Sequence, residues 1–108
     1  MEIEYDYWTG SLNVVKASLI RSVGQYTRRY KKVKIGITDN PERRTKNHEK
    51  SDIKWVKMVV KYQTNSVNFI NQMEKILIEH HYEFVENINA GGGGPNGSPP
   101  YYLYLLLK

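Results

Sequence analysis

The sequence predicts a single α/β (α+β) domain with a small, mostly antiparallel, three-stranded sheet flanked by helices. Two patterns alternate along the chain. Apolar residues spaced three or four apart are typical of helices, and β-branched residues that alternate with polar ones are typical of strands. A length of 108 residues supports one hydrophobic core. We therefore treat residues 1–108 as one domain.

The first 31 residues are predicted to form a helical segment. Apolar side chains recur every three or four residues from Leu12 to Tyr30, and Ser11 stands where an N-cap residue belongs. The predicted order of elements therefore begins with a helix.

A strand and a short helix are predicted next. The stretch "VKIGIT" at 33–38 alternates apolar residues with polar or small ones, as a strand with one buried face does. A helix should then run from Pro41 to about Lys50 with Asn40 as its cap, because the missing N–H of proline costs nothing in a first turn.

The second half of the chain predicts strand, helix, loop and strand. Residues 53–63 are rich in β-forming side chains, and a regular amphipathic helix follows, capped by Thr64 or Asn65. Glycine and proline dominate 90–100, which predicts a loop. The apolar run at 101–108 predicts a buried carboxy-terminal strand.

Positive charge is concentrated in the middle of the chain. The net charge of +5 combines a net of +10 over residues 16–61 with net negative segments on both sides. A concentrated basic region is typical of proteins that bind polyanions, because neutralising phosphates releases counterions. We therefore expect a nucleic-acid partner.

Composition also limits where the protein acts. The chain has no cysteine, so disulfides and thiolate metal sites are excluded. The first ten residues are acidic and do not resemble a signal peptide, and the longest apolar run is too short to span a bilayer. We expect an intracellular, cytoplasmic protein without a membrane partner.

Three side chains suggest phosphodiester chemistry. Such chemistry needs a cation opposite the developing negative charge, an activated water and usually a divalent metal ion. Arg44 offers a planar guanidinium for phosphate, and Glu74 offers an oxygen ligand at the edge of an apolar helix stripe. His48 can carry a proton, and its position four residues after Arg44 places both on one helix face.

The stretch "KIGITDNPERRTKNH" resembles the second half of the signature of the GIY-YIG nuclease superfamily. In that family an arginine follows the strand glycine after eight residues, and a histidine or tyrosine often follows four residues later. Gly36, Arg44 and His48 are in this register, and Lys34 replaces the usual tyrosine. The similarity makes Gly36 and Thr38 structural residues of the site.

Two later stretches are also similar to the family. "NQMEKILIEHH" resembles the helix that carries the metal-binding glutamate, which corresponds to Glu74. "ENINAGGGG" resembles the asparagine segment after that helix, which makes Asn87 the counterpart and a nucleic-acid contact. The resemblance implies one Mg²⁺ (or Mn²⁺) on Glu74 that stabilises the leaving oxygen, with Arg44 on the scissile phosphate.

The resemblance leaves the catalytic tyrosine open. In the family a tyrosine on a first strand helps to deprotonate the attacking water, and here that help would come from the tyrosine or from Lys34. Tyr26 is a weak candidate because it continues the helix stripe of the first segment. We favour a permuted arrangement in which the carboxy-terminal strand supplies Tyr102, with Tyr104 as the alternative.

These observations lead to a metal-dependent DNA endonuclease, of the kind found in a phage, a mobile element or a repair system. A basic stretch with an interleaved tyrosine should contact the DNA backbone through Arg28, Arg29, Lys31 and Lys32. The alternative is a catalytically silent nucleic-acid-binding module on the same fold. RNA as substrate, and a homodimer as the working form, both stay open.

Overall fold

The computed structural model describes residues 1–87 and 97–108, which form an α/β fold with a four-stranded mixed sheet and three helices. In chain order the elements are β1 (Glu2–Thr9), α1 (Leu12–Arg29), β2 (Val33–Thr38), α2 (Pro41–Glu49), β3 (Lys57–Thr64), α3 (Val67–His80) and β4 (Tyr101–Leu107).

The strands lie in the order β1, β3, β4, β2. The carboxy-terminal strand β4 is central and pairs antiparallel with both β2 and β3, whereas β1 pairs parallel with β3. The three predicted strands are therefore present and joined by antiparallel pairings, and the prediction was wrong in missing a fourth strand, β1.

The missed strand lies inside the segment 1–31 that was predicted to be helical. Helix α1 begins at Leu12 as expected, but the residues before it form β1. The signal for this strand is the alternation of acidic residues with Ile3, Tyr5 and Tyr7, which is a strand period. Most of β1 is exposed, so the strand lacks the apolar face that usually identifies one.

The other elements lie close to their predicted positions. Asn40 caps α2 by accepting a hydrogen bond from the backbone N–H of Arg43, and Pro41 occupies the first turn. Helix α3 is capped by Ser66, whose hydroxyl accepts from the N–H of Phe69, and not by Thr64 or Asn65. The loop prediction for 90–100 falls mostly on residues 88–96, outside the described part of the chain.

The sheet buries both of its faces. On the face that we call the α1/α3 face, strand residues such as Leu103 and Leu105 pack against both long helices. The opposite face, which we call the α2 face, carries a smaller cluster composed of Trp55, Met58, Val60, Tyr104 and Leu106. Because strand side chains alternate between faces, Tyr104 points away from α1 and α3.

The outer edge of β2 is closed by the side chain of Asn87. Its amide oxygen accepts from the N–H of Ile35 at 2.9 Å and its amide nitrogen donates to the Ile35 carbonyl at 2.8 Å. The N–H of Glu86 donates to the carbonyl of Val33 at 2.8 Å. Asn87 thus satisfies backbone groups that an edge strand leaves unpaired.

Within residues 1–87 and 97–108, no helix is both long enough and apolar enough to cross a bilayer.

Candidate active site

Three side chains meet at one buried hydroxyl group on the α2 face. The hydroxyl of Tyr104 accepts a hydrogen bond from Nε of Arg44 at 3.2 Å and lies 2.8 Å from Nε2 of His48. Tyr104 and His48 are buried, whereas Arg44 is exposed. We call these residues the Tyr104 cluster. Its exposed arginine thus joins a buried, hydrogen-bonded Tyr104–His48 pair to the surface.

Gly36 allows the Tyr104 ring to reach the helix. The two residues are directly opposite in the β2–β4 pair, and a Cβ at position 36 would overlap Cζ and the hydroxyl oxygen of Tyr104. The ring therefore crosses over the glycine toward α2. The predicted structural role of Gly36 is consistent with this close approach.

The turn between β2 and α2 fixes where Arg44 points. The buried hydroxyl of Thr38 accepts from the backbone N–H of Asn40 at 3.0 Å. Arg43 pairs with Asp39, whose carboxylate lies one helical turn earlier. Arg43 is thereby held in an ion pair at the surface, while Arg44 reaches Tyr104.

His48 is held in its neutral form. Burial, followed by the positive charges of Arg44 and Lys34, lowers its pKa from 6.5 to about 4. A neutral imidazole has one nitrogen that can accept a proton. With Arg44 donating to the Tyr104 oxygen, the hydroxyl proton is free to point at Nε2 of His48. Lys34 is thus an electrostatic neighbour of the cluster.

The lowered pKa of His48 predicts a pH-dependent stability. Between pH 6.5 and about 4 the unfolded chain binds a proton that the folded chain does not, so stability is present above pH 6.5 and is lost as the pH falls toward 4. We expect the free energy of unfolding, measured with urea across this window, to fall more steeply for the wild type than for His48→Gln.

The comparison isolates His48 because His81, whose pKa is also lowered mainly by burial, is present in both proteins. All carboxylates are likewise common to both. Parallel pH profiles for the two proteins would contradict a neutral, buried His48.

Glu74, on helix α3, affects the pKa of Tyr104. This glutamate is buried on α3, beside the α1/α3 core. Burial raises the pKa of Tyr104, the hydrogen bond and charge of Arg44 oppose that rise, and the negative charge of Glu74 adds to it. The carboxylate is therefore within electrostatic range of the hydroxyl.

Tyr102, the tyrosine favoured from the sequence, is outside the hydrogen bonds of the cluster. It lies opposite Thr38, and its hydroxyl is 3.5 Å from Nε2 of Gln63. Its ring meets the ring of Tyr7 edge to face. The structure brings Tyr104 to Arg44 and His48 instead, and Tyr26 lies in α1 on the other face of the sheet.

The remaining predicted nucleic-acid contacts are separate from this cluster. Arg28, Arg29, Lys31 and Lys32 lie at the end of α1 and in the turn into β2, whereas the Tyr104 cluster is carried by α2 and β4. Lys32 pairs loosely with Glu86 at 3.9 Å. The Asn87 amide is occupied by the backbone of Ile35, so its observed contacts are structural.

A metal site assembled from several protein ligands is absent from the described chain. No group of three or more His, Cys, Asp or Glu side chains converges in residues 1–87 and 97–108. A single carboxylate is nevertheless a sufficient protein ligand for Mg²⁺, which keeps several waters and uses substrate phosphates as ligands. Glu74 offers such a carboxylate: it is buried on α3, and its negative charge reaches Tyr104 electrostatically.

No family model matches this chain, and neither a curated protein nor a solved structure is significantly similar to it.

Proposed function

We propose that this chain is a metal-dependent endonuclease that hydrolyses phosphodiester bonds in DNA. In this proposal it uses a GIY-YIG-like site whose first strand is supplied by the carboxy-terminal strand β4. The observation that carries the proposal is the Tyr104 hydroxyl, which lies opposite Gly36 and contacts both Arg44 and His48. These are the residues in register with the family signature, joined by the tyrosine that the resemblance requires.

Arg44 is suited to hold the scissile phosphate. Its Nε is used on Tyr104, which fixes the plane of the guanidinium and leaves the two terminal nitrogens available. These nitrogens can donate to two oxygens of one phosphate, and the side chain is exposed to an incoming strand. Negative charge that develops on the phosphate is then met by a fixed cation.

Tyr104 and His48 are suited to remove a proton from the attacking water. The tyrosine oxygen takes the proton of the water while its own proton passes to Nε2 of His48, which is free to accept it because the ring is neutral. This exchange avoids a free phenolate, which burial and the Glu74 charge disfavour. Lys34 contributes positive charge beside the same hydrogen-bond chain.

Glu74 would hold the divalent metal ion, Mg²⁺ or Mn²⁺. When bound, such an ion stabilises the negative charge on the leaving oxygen. Within the protein, the carboxylate also offsets the positive charge that Arg44 and Lys34 place around Tyr104.

The direct test is cleavage of supercoiled plasmid and of single-stranded DNA by the purified protein, with Mg²⁺ and with EDTA. We expect cleavage in Mg²⁺ only. Arg44→Ala should reduce the rate roughly 10²- to 10³-fold, as loss of a transition-state donor does. Glu74→Ala should reduce it at least as much. Arg43→Ala is the matched control and should keep the wild-type rate, because Arg43 pairs with Asp39.

The outcomes separate the two functions considered from the sequence. Metal-dependent cleavage that survives both Arg44→Ala and Glu74→Ala would contradict this site. DNA binding without cleavage under every condition would instead support a silent binding module. An RNA strand of the same sequence, assayed in parallel, decides which nucleic acid is the substrate.

A further inference from the structure

A pocket lies on the α1/α3 face, away from the Tyr104 cluster. It has a volume of about 390 Å³ and opens between α1, β1 and β3. That volume lies within the usual range of roughly 300–1,000 Å³ for small-molecule sites. We call it the Lys61 pocket. Its principal lining residues are Asp6, Trp8, Arg21, Tyr26, Arg29 and Lys61.

One lining side chain of the pocket, Lys61, is almost completely buried. Lys61 is 3% exposed, and its Nζ lies 4.9 Å from the ring centre of Trp8 and 5.5 Å from that of Tyr26. Its ion-pair partner is Asp6, at 3.3 Å, whose own side chain is 69% exposed. A buried charge that is paired with only a solvated carboxylate is costly, which favours a functional reason for it.

A local irregularity of the sheet accompanies this lysine. The pairing of β3 with β4 shifts between Val60 and Tyr62, and the pairing of β1 with β3 shifts between Tyr5 and Trp8. Such bulges re-aim a side chain, and they are frequent next to binding sites. Here the irregularity leaves Lys61 out of the regular ladder and over the aromatic rings.

Two further cations at the pocket have no acidic partner. Within the described residues, neither Arg21 nor Arg29 forms an ion pair with a carboxylate, and both are exposed. The guanidinium of Arg29 lies 5.2 Å from the ring centre of Tyr26, which orients it while leaving its N–H groups free to donate. The pocket therefore combines three cations with one acid.

Trp8 supplies an exposed aromatic surface at the same place. Its side chain is 40% exposed although tryptophan is strongly apolar. Cations beside an accessible aromatic ring are the combination that binds nucleotides, since the cations hold the phosphate and the ring stacks on the base. An isolated phosphate would need only the cations.

We propose that the Lys61 pocket binds one nucleotide, with its phosphate on Arg21 and Arg29 and its base against Trp8. Lys61 adds charge from the floor of the pocket, and Asp6 offers a hydrogen-bond acceptor for a base amine. Because the pocket and Tyr104 lie on opposite faces of the sheet, this nucleotide is not the one at the proposed cleavage site. The proposal therefore does not depend on nuclease activity.

The test is a titration of the full chain followed by NMR of the two indole N–H groups, in EDTA so that no cleavage occurs. The probes are a deoxynucleoside monophosphate, the matching nucleoside, inorganic phosphate and a short single-stranded oligonucleotide. We expect the Trp8 signal to shift saturably, while Trp55, which is buried on the α2 face, stays as an internal reference. Binding of the monophosphate identifies a free nucleotide, and binding of the oligonucleotide alone identifies an unpaired nucleotide in a strand.

Variants test the geometry of the pocket. Trp8→Leu and Arg29→Ala should each weaken binding roughly tenfold, as loss of a stacking or phosphate contact does. Lys75→Ala is the matched control, because it removes one positive charge from an exposed position of α3 without lining the pocket. Equal weakening by Lys75→Ala and Arg29→Ala would overturn the proposal, as would binding of phosphate alone with the affinity of the nucleotide.

The result is independent of the cleavage assay. Arg44→Ala should leave nucleotide binding at the Lys61 pocket unchanged even if it abolishes cleavage. A protein that cleaves DNA without any shift of the Trp8 signal would contradict nucleotide binding at the Lys61 pocket but not the nuclease proposal. A protein that binds the nucleotide but never cleaves DNA would contradict the nuclease proposal but not nucleotide binding at the Lys61 pocket.

Discussion

Tyr104→Phe is expected to reduce DNA cleavage roughly 10²- to 10⁴-fold, the range for loss of a positioned proton-transfer group. The substitution removes one oxygen atom, but that atom is the contact that joins Arg44 to His48. Arg44 loses the acceptor that orients its guanidinium, and Nε2 of His48 loses its partner. DNA binding should change little, because the charge of Arg44 remains.

The matched control is Tyr102→Phe. Tyr102 is on the same strand and the same face, but its hydroxyl makes only a long contact with Gln63 at 3.5 Å. Cleavage rates should therefore stay within about twofold of the wild type, since a contact this long contributes little. Rates are measured at a temperature where circular dichroism shows both variants folded. Equal losses in the two variants would contradict the assignment of Tyr104.

Stability provides a second readout for the same pair. Tyr104→Phe leaves a buried ring nitrogen of His48 unsatisfied, which costs about 1–3 kcal/mol of unfolding free energy. Tyr102→Phe leaves no buried group without a partner and should be nearly neutral. A variant that is destabilised by this amount and still cleaves at the wild-type rate would assign the hydroxyl a purely structural role.

The sequence alone could not decide between Tyr102 and Tyr104. Residues two apart on a strand share a face, so period alone cannot separate Tyr102 from Tyr104. What separates them is the register between β2 and β4, which places Tyr104 opposite Gly36. Register between distant segments depends on packing of the whole sheet and cannot be read from either segment.

The relative position of Arg44 and His48 could be predicted from the sequence, because it depends only on spacing within one helix. The two residues are four apart on a helix, and helical geometry alone places them on one face. The choice of Arg44 over Arg43 followed the register of the family signature, and in the structure Arg43 pairs with Asp39. Local spacing thus predicted the helix contribution to the site.

There is a further physical reason why β1 was not predicted from the sequence. It pairs in parallel with β3, a segment far away along the chain, and only Ile3 and Glu4 within it are partly buried. A strand with so little apolar burial gains its stability from a partner that the local sequence does not reveal. The Lys61 pocket lies along this strand, so neither the pocket nor its use of Trp8 could be predicted.

Gly36→Ala is expected to have the largest combined effect on stability and activity. The new methyl group would overlap the Tyr104 ring, so either the ring or β2 must move. Overpacking of this kind costs about 1–3 kcal/mol of unfolding free energy. Cleavage should fall as well, because a displaced ring takes its hydroxyl away from Arg44 and His48. Urea unfolding and the plasmid assay measure the two effects.

Gly24→Ala is the matched glycine control. Gly24 lies in α1, and a Cβ there would meet Cε1 of His81 at 3.5 Å, an ordinary van der Waals distance. Alanine is favoured over glycine inside a helix by about 1 kcal/mol, so this variant should be at least as stable as the wild type. The same substitution is thus expected to lower the free energy of unfolding at Gly36 and to raise it or leave it unchanged at Gly24.

A double variant separates packing from chemistry at Gly36. Tyr104→Leu removes the ring atoms that the alanine methyl group would meet, so its cost and that of Gly36→Ala should be less than additive in unfolding free energy. Stability is then partly recovered, but cleavage is not, because the hydroxyl is gone. Additive losses would show that the ring and the glycine do not share one space. Recovery of cleavage in the double variant would show that the reaction does not need the Tyr104 hydroxyl.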